Sequence, residues 1–256
     1  MKYGLIGEHL SHSSSKEIHA QLGNYDYELY ELRPNEVSSF LYQRKFKAIN
    51  VTIPYKQIVI SELNWIEPKA KFIGAVNTIV NRNGKLFGYN TDYYGLKSLI
   101  VRQRLNYSGA KILILGTGAT SRTAMFVAKN LGAKIILRVS RRNHEKGVID
   151  YETAQIFHND AEFIINTTPV GMYPNAEDLL IDLKHFKNLC GVTDVVYNPI
   201  QTKLVLSAHK FGISAEGGLY MLVAQAVAAN EIFFQKSQPN NITEQLYLSL
   251  MNKKLL

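Results

Sequence analysis

The sequence contains a single cysteine, Cys190, and no apolar run long enough to cross a membrane. One thiol excludes an internal disulfide and favours a reducing compartment, so we expect a cytoplasmic protein. The apolar segment at residues 2–7 is too short for the hydrophobic region of a signal peptide. The sequence therefore argues against disulfide-rich secreted proteins and against membrane proteins.

Acidic residues are also few: 21 Asp and Glu stand against 29 Lys and Arg, for a net charge of +8. The basic residues are scattered, and no nucleic-acid-binding motif accompanies them, so anionic small ligands account for the charge better. His9, His12 and His19 lack the cysteine or acidic partners of a metal site. We predict a small-molecule substrate, no nucleic-acid or membrane partner, no metal, and a monomer or homodimer.

A strand, a glycine turn and a helix follow one another in the middle of the chain. The apolar run 111–115 leads into Gly116-Thr117-Gly118-Ala119-Thr120, and apolar residues at helical spacing come next. Such a turn lets the backbone approach a pyrophosphate, and the helix N-terminus attracts its negative charge. Ser121 replaces the usual third glycine. The context still predicts a dinucleotide site.

The end of the next predicted strand, 133–139, indicates which dinucleotide binds. An NAD site usually has Asp or Glu there, bonded to the ribose 2′-hydroxyl. This chain has Ser140-Arg141-Arg142 and no carboxylate. Guanidinium groups suit a 2′-phosphate, so the segment favours NADP over NAD. The alternative is a solvated basic turn.

A lysine and an aspartate stand out in the first half of the chain. Lys56 follows the strand-like run 46–52 and a Thr-Ile-Pro segment, and Asp92 closes Gly-Tyr-Asn-Thr-Asp. A carboxylate beside an ammonium group in one cleft forms a usable acid/base couple. Spacing alone leaves open that both groups are ordinary solvated surface charges.

Alternating strand-like and helical segments predict an α/β protein. A type I′ hairpin is expected at Asn83-Gly84, and a boundary near residues 106–109. Further strands are predicted at 2–7, 25–32, 162–166 and 192–196, and helices at 16–22, 34–43, 91–104, 220–235 and 241–255.

Seven motifs in order resemble the shikimate dehydrogenase family over nearly the whole chain. They are Ser11-His12-Ser13-Ser14-Ser15, Asn50-Val51-Thr52-Ile53-Pro54-Tyr55-Lys56, Gly74-Ala75-Val76-Asn77-Thr78, Gly88-Tyr89-Asn90-Thr91-Asp92-Tyr93-Tyr94-Gly95, Asn166-Thr167-Thr168-Pro169-Val170-Gly171-Met172, Val196-Tyr197-Asn198-Pro199 and 217–226 (GGLYMLVAQA).

The resemblance implies an NADP-dependent enzyme that interconverts 3-dehydroshikimate and shikimate. It implies an N-terminal α/β substrate domain (1–104, completed by 219–256), a Rossmann-type nucleotide domain (105–218) and an active site in the cleft between them. Lys56 and Asp92 would be catalytic. Substrate ligands would be Ser13, Ser15, Thr52, Asn77, Tyr197 and Gln225. Cofactor ligands would be Gly116, Thr117, Gly118, Ala119, Thr120, Ser140, Arg141, Arg142, Val195 and Gly218.

Some positions depart from the family pattern. Lys16 replaces a usual proline, Ala48 a usual glycine, Ser140 a usual asparagine and Arg142 a usual threonine. None of these removes a proposed catalytic group, although cofactor preference is less firmly fixed. Two alternatives remain open: a quinate/shikimate dehydrogenase that uses NAD, and a non-catalytic regulator that binds shikimate or a nucleotide.

Overall fold

Two six-stranded sheets organise the chain in a computed structural model that describes residues 2–11, 13–141 and 147–254. Each sheet belongs to a separate compact unit. The first unit runs to Gly95 and also takes in Val223–Leu250, whereas the second is built on Leu96–Leu222. The predicted α/β class is confirmed.

The first sheet is mixed. Its strands are β1 (Tyr3–Gly7), β2 (Tyr27–Glu31), β3 (Ala48–Val51), β4 (Trp65–Ile66), β5 (Thr78–Arg82) and β6 (Lys85–Tyr89). They lie in the order β2-β1-β3-β5-β6-β4, with β1 parallel to β2 and β3, and β5 antiparallel to β3 and β6. Its first helices are α1 (Ser15–Leu22), α2 (Val37–Gln43), α3 (Pro68–Ile73) and α4 (Asp92–Arg102).

The β5–β6 hairpin turns where the sequence predicts. Asn83 and Gly84 both have positive φ angles, 52° and 80°. A type I′ turn requires positive φ at both central residues, and asparagine and glycine adopt it most readily. This turn fixes the register of β5 against β6, and at its other edge β5 pairs with β3, where Thr78 lies opposite Asn50.

The second sheet is entirely parallel. Its strands are β7 (Lys111–Leu115), β8 (Ile135–Val139), β9 (Val148–Ile149), β10 (Phe163–Asn166), β11 (Gly191–Asp194) and β12 (Ser214–Glu216). They lie in the order β12-β11-β10-β7-β8-β9, so the winding reverses between β7 and β10. This is the doubly wound Rossmann order, in which ligands bind beyond the carboxyl ends of the strands at the reversal.

The remaining helices are α5 (Ala119–Asn130), α6 (Tyr151–Phe157), α7 (Lys203–Lys210), α8 (Leu219–Phe234) and α9 (Ile242–Lys254). The contact division falls inside α4 and α8, several residues from the predicted domain limits at 104 and 219. None of the helices in the described ranges is long and apolar enough to cross a bilayer.

The strand β11 ends two residues earlier than predicted. The run 192–196 is apolar enough for a strand, but β11 stops at Asp194. The Asp194 carboxylate accepts the backbone N–H of Val196 at 3.0 Å, which turns the chain away from the sheet. Aspartate commonly competes with the strand ladder in this way.

Candidate active site

The structure brings Lys56 and Asp92 together. Lys56 follows β3 through a turn in which Tyr55 N–H donates to the Thr52 carbonyl, and Asp92 is the first residue of α4. Lys56 Nζ lies 2.6 Å from Asp92 Oδ2, and the two side chains are 13% and 8% exposed. A carboxylate at a helix N-terminus is favourably placed. The pair is thus largely withdrawn from water, unlike a solvated surface pair.

Asn77 holds the other oxygen of the same carboxylate. Its Nδ2 donates to Asp92 Oδ1 at 3.0 Å and to Thr91 Oγ1 at 2.9 Å. Its Oδ1 accepts the backbone N–H of Thr91 at 2.7 Å. Gln225 Oε1, on α8, lies 3.5 Å from Thr91 Oγ1. Four predicted site residues, Lys56, Asp92, Asn77 and Gln225, therefore meet in one hydrogen-bonded group.

Ser13, Ser15 and Thr52 follow the carboxyl ends of β1 and β3. These strands are parallel neighbours, so the segments after them leave the same edge of the sheet. Thr52 N–H donates to the Ile6 carbonyl at 2.9 Å, and Ser15 N–H donates to Ser13 Oγ at 3.3 Å. Ser13 thus also satisfies a donor at the start of α1. This edge is the one from which Lys56 emerges.

The predicted phosphate turn lies at the winding reversal of the second sheet. Gly116 has φ +108°, a value that L side chains rarely adopt, and a Cβ there would lie 2.9 Å from Thr167 Oγ1. A Cβ on Gly118 would meet nothing within 4 Å, so the backbone is open to a ligand. Thr117, Ala119 and Thr120 complete the turn into α5, whose first N–H groups lack intrahelical acceptors.

Ser121 fits where a third glycine is usual. It is fully buried, and its hydroxyl donates to the Gly118 carbonyl at 2.8 Å. The small side chain is therefore accommodated within the first turn of α5. The departure from the Gly-rich pattern leaves the turn intact.

The segment after β8 lies beside this turn. Val139 pairs with Leu115, and Gly116 N–H donates to the Val139 carbonyl at 2.8 Å. Ser140 follows and is held by its N–H to the Ile149 carbonyl at 2.9 Å. Arg141 is exposed. Arg142, the other predicted 2′-phosphate ligand, lies outside the described residues.

Val195 and Gly218 contact each other. Gly218 N–H donates to the Val196 carbonyl at 2.8 Å, and a Cβ on Gly218 would lie 2.1 Å from Val195 O. A larger residue than glycine would therefore displace the Val195 backbone. Tyr197 is half-buried in the same loop, before the cis Asn198–Pro199 bond, and is not part of a strand.

Sequence reasoning did not single out Asp194. Its carboxylate is buried and accepts from Asn166 Nδ2 at 2.9 Å and Thr202 Oγ1 at 2.7 Å, in addition to Val196 N–H. Burial raises its pKa to about 6, although these hydrogen bonds oppose the shift. The sequence signal for this pair is a polar residue at the end of each strand, Asn166 in Ile-Ile-Asn of β10 and Asp194 in Val-Thr-Asp of β11.

No group of three or more metal-ligating side chains occurs in the described ranges. His19, which stands third in the histidine series His9, His12 and His19, is buried in α1 and stacks on Tyr27 with ring centroids 3.9 Å apart. Burial lowers its pKa to about 3. A neutral, packed imidazole is what this environment favours.

Comparison with known proteins gives matches along nearly the whole chain. The family model described as the shikimate dehydrogenase substrate binding domain matches residues 5–79. A protein named shikimate dehydrogenase (NADP(+)) from Clostridium perfringens (strain 13 / Type A) is 37% identical over 264 aligned positions. That alignment covers 97% of this chain and 97% of the relative.

Solved structures agree with the sequence matches. Shikimate dehydrogenase 1 from Peptoclostridium difficile gives a TM-score of 0.90 at 34% identity and covers 100% of this chain and 98% of that chain. A chorismate mutase/shikimate 5-dehydrogenase fusion protein from Clostridium acetobutylicum gives 0.93 at 33% identity, covering 99% and 98%. Both units of the chain are therefore included in these similarities.

Proposed function

The chain belongs to the shikimate dehydrogenase family, and from this premise we propose that it reversibly reduces 3-dehydroshikimate to shikimate with NADPH. Residues 1–104 with 219–256 would bind the substrate, and residues 105–218 would bind NADP. The reaction is a step of aromatic biosynthesis.

Lys56 is the proposed proton donor and acceptor. In the reductive direction, negative charge develops on the carbonyl oxygen at C3, and the ammonium group stabilises it and then transfers a proton to it. Asp92 orients the ammonium through the 2.6 Å contact to Oδ2. In the oxidative direction, the neutral amine takes the hydroxyl proton back.

The predicted substrate ligands suit a hydroxylated ring that carries a carboxylate. Thr52, Asn77, Tyr197 and Gln225 supply hydroxyl and amide partners for the ring hydroxyls. Ser13 and Ser15 would bind the carboxylate through neutral hydrogen bonds. Their place at the start of α1 adds the favourable effect of a helix N-terminus on an anion.

The nucleotide segments fit NADP. Gly118 leaves open space at the turn, Gly116 has the positive φ that the turn requires, and α5 presents its N-terminus. Ser140, Arg141 and Arg142 would hold the 2′-phosphate, and Val195 and Gly218 would lie at the nicotinamide. When bound, NADPH supplies the hydride that reduces the C3 carbonyl.

The single observation that supports catalysis best is the paired, mostly buried Lys56 and Asp92. A regulator that only binds ligands has no need to hold opposite charges together out of water, where desolvation is costly. The alternative is a quinate/shikimate dehydrogenase that uses NAD. The basic residues after β8 disfavour it, because an NAD-binding domain usually has a carboxylate at this position.

The test is NADP⁺ reduction by the purified protein with shikimate, repeated with quinate and with NAD⁺. We expect the highest kcat/KM for shikimate with NADP⁺. A preference for NAD⁺ with quinate would favour the alternative enzyme, and no turnover in any combination would favour the regulator. Cytoplasmic location and a monomeric or homodimeric state stay predictions.

A further inference from the structure

A series of buried polar side chains lies behind Asp92. Tyr27, Asn50, Thr78 and Asn77 are each at most 5% exposed, and we call them the polar chain. Tyr27 Oη lies 2.7 Å from Asn50 Oδ1, Asn50 Nδ2 lies 3.1 Å from Thr78 Oγ1, and Thr78 Oγ1 lies 3.1 Å from Asn77 Oδ1. Asn77 then contacts Asp92 at 3.0 Å. The series therefore ends on the carboxylate that holds Lys56.

Two backbone groups fix the direction of the amides in the polar chain. The Asn77 carbonyl can only accept, so the Asn50 atom 3.3 Å from it must be Nδ2. The Thr91 N–H can only donate, so the Asn77 atom 2.7 Å from it must be Oδ1. Asn50 Oδ1 therefore faces Tyr27, and Asn77 Nδ2 faces Asp92.

The hydroxyl groups then have defined roles. Tyr27 must donate to Asn50 Oδ1, because a carbonyl oxygen has no hydrogen to give. Thr78 accepts from Asn50, and its own hydrogen is free for Asn77 Oδ1 or for Thr91 Oγ1, which lies 3.1 Å away. The Tyr27 ring is itself fixed by the stacked His19, with an interplanar angle of 7°.

We propose that Tyr27, Asn50 and Thr78 are positioning residues that hold the Asn77 amide so that it donates to Asp92 Oδ1 and leaves Oδ2 to Lys56. This deepens the proposed function and rests on it. None of the three needs to touch the substrate. Because the groups of the polar chain are buried, an amide that rotates leaves unsatisfied donors and acceptors, so one orientation is strongly preferred.

The decisive comparison is Thr78→Val with Thr78→Ser. Valine keeps the shape of threonine and removes the hydroxyl, whereas serine keeps the hydroxyl. We expect Thr78→Val to lower kcat for shikimate oxidation about 10- to 100-fold, the size of effect that misplaced catalytic groups produce. Thr78→Ser should recover most of the turnover, and KM for NADP⁺ should stay unchanged in both.

Tyr27→Phe tests the far end of the polar chain, and Tyr25→Phe is its matched control. The Tyr25 hydroxyl is bonded to His19 at 2.6 Å and to Asn230 at 2.9 Å, outside the polar chain. Both variants lose one tyrosine hydroxyl from the same aromatic cluster. We expect kcat to fall in Tyr27→Phe and to remain near wild type in Tyr25→Phe. The melting temperatures of both variants show whether each is folded under the assay conditions.

Equal turnover in Thr78→Val and Thr78→Ser, or equal losses in Tyr27→Phe and Tyr25→Phe, would overturn the inference. A wild-type protein that does not oxidise shikimate would instead refute the proposed function. In that case hydrogen exchange of the Asn77 side-chain amide, followed by NMR, still decides the inference. Exchange should be slow in wild type and Thr78→Ser and faster in Thr78→Val, and equal rates would contradict it.

Discussion

The two units each bury an aspartate beside an asparagine, but they give it different partners. In the first unit Asp92 is held by the ammonium group of Lys56 and by Asn77. In the second unit Asp194 is held by neutral donors, the amide of Asn166, the hydroxyl of Thr202 and the N–H of Val196. The first arrangement suits the proposed proton transfer, whereas the second ties the end of β10 to the segment between β11 and α7.

The difference shows that the groups bonded to a buried carboxylate determine its role. Asp92 lies within hydrogen-bond distance of an opposite charge, which is the arrangement that the proposed acid/base role of Lys56 needs. Neutral hydrogen bonds compensate burial only in part, which is why the pKa of Asp194 is raised to about 6. The Asp194 contacts join the end of β10 to the segment between β11 and α7, which is a structural role.

The largest effect should follow from breaking the ion pair of the first unit. Lys56→Ala removes the proposed acid/base group, and we expect turnover to fall roughly 10²–10⁴-fold. Shikimate binding should weaken much less. Steady-state kinetics and direct binding by calorimetry check the two parts separately.

Lys184→Ala is the matched control for Lys56→Ala. Lys184 Nζ lies 2.7 Å from Asp182 Oδ2, nearly the same distance, but these side chains are 63% and 42% exposed. We expect kinetics close to wild type in this control. Near-normal turnover of a folded Lys56→Ala protein would end the assignment of Lys56.

In the second unit, removal of the Arg141 guanidinium should weaken cofactor binding rather than lower turnover. Arg141→Ala should weaken NADP about 10- to 100-fold, since a charged hydrogen bond contributes about 1.5–3 kcal/mol. NAD binding should change little. Fluorescence titration with both nucleotides measures the two affinities.

Lys134→Ala removes the same charge from the opposite end of β8, where Lys134 is exposed. It should leave both affinities near wild type. If Arg141→Ala weakens NAD and NADP equally, Arg141 contacts a part common to both nucleotides.

The first unit should lose stability as the pH falls below neutrality. The pKa of His19 is about 3 in the folded protein, below the ordinary value of 6.5, so only the unfolded chain gains the proton between these values. Between pH 7 and pH 5 this lowers the free energy of unfolding by about 2 kcal/mol. Trp65, the only tryptophan, lies in this unit and reports its unfolding by fluorescence.

A His19→Gln variant should be less stable at neutral pH but less sensitive to acid than wild type. His209→Gln, in the second unit, should leave the pH dependence of Trp65 unfolding unchanged. If the free energy of unfolding depends on pH equally in wild type and in His19→Gln, another group causes the acid sensitivity.

The smallest effect concerns the second unit, where protonation of Asp194 should raise stability as the pH falls, opposite to the effect of His19 in the first unit. The pKa of Asp194, about 6, is above that of an unfolded aspartate, about 3.9, so the folded protein gains the proton first. Its stabilising contribution is present at low pH and is lost as the pH rises through 6. Between pH 7 and pH 5 it adds about 1 kcal/mol.

The variant Asp194→Asn should remove this pH dependence, because an amide resembles the protonated carboxyl group in shape and carries no titrating proton. Hydrogen exchange of β10 and β11 at pH 5 and pH 7 measures the local stability in each protein. If the variant keeps the wild-type pH dependence, the titrating group is not Asp194.

Much of the fold can be predicted from the sequence, because apolar runs and turn residues indicate strands and hairpins from a few neighbouring positions. Apolar runs placed the strands, and Asn83-Gly84 predicted the hairpin. The short helices α3, α6 and α7 were missed, since six to eight residues give little periodicity. Two of them have a side-chain cap: Asp150 accepts the N–H of Thr153 in α6, and Thr202 accepts that of Val205 in α7, whereas α3 begins at Pro68.

The site was predictable as a set of residues and not as a network. Lys56 and Asp92 stand out from their placement in the sequence, Asn77 is indicated only by the resemblance, and the structure places the three in contact. The polar chain depends on the antiparallel pairing of Asn50 with Thr78, which are 28 residues apart. Neither residue has a local signal that distinguishes a buried network from an ordinary strand, because the contact arises only when the strands pair.

The late return of α8 to the first unit has a consequence for synthesis on the ribosome. Tyr3 and Tyr27 pack against Ala229 and Phe233, and Asn230 donates to the Tyr25 hydroxyl. A nascent chain that has emerged only through the first sheet exposes that aromatic surface until α8 follows. The second unit takes most of its residues from the continuous stretch 96–222 and only a few from the end of α9, so its sheet does not wait for a late helix in the same way. The sheet of the first unit is made before that of the second but waits for α8 to cover it, so a chaperone would have to shield its aromatic surface in the meantime.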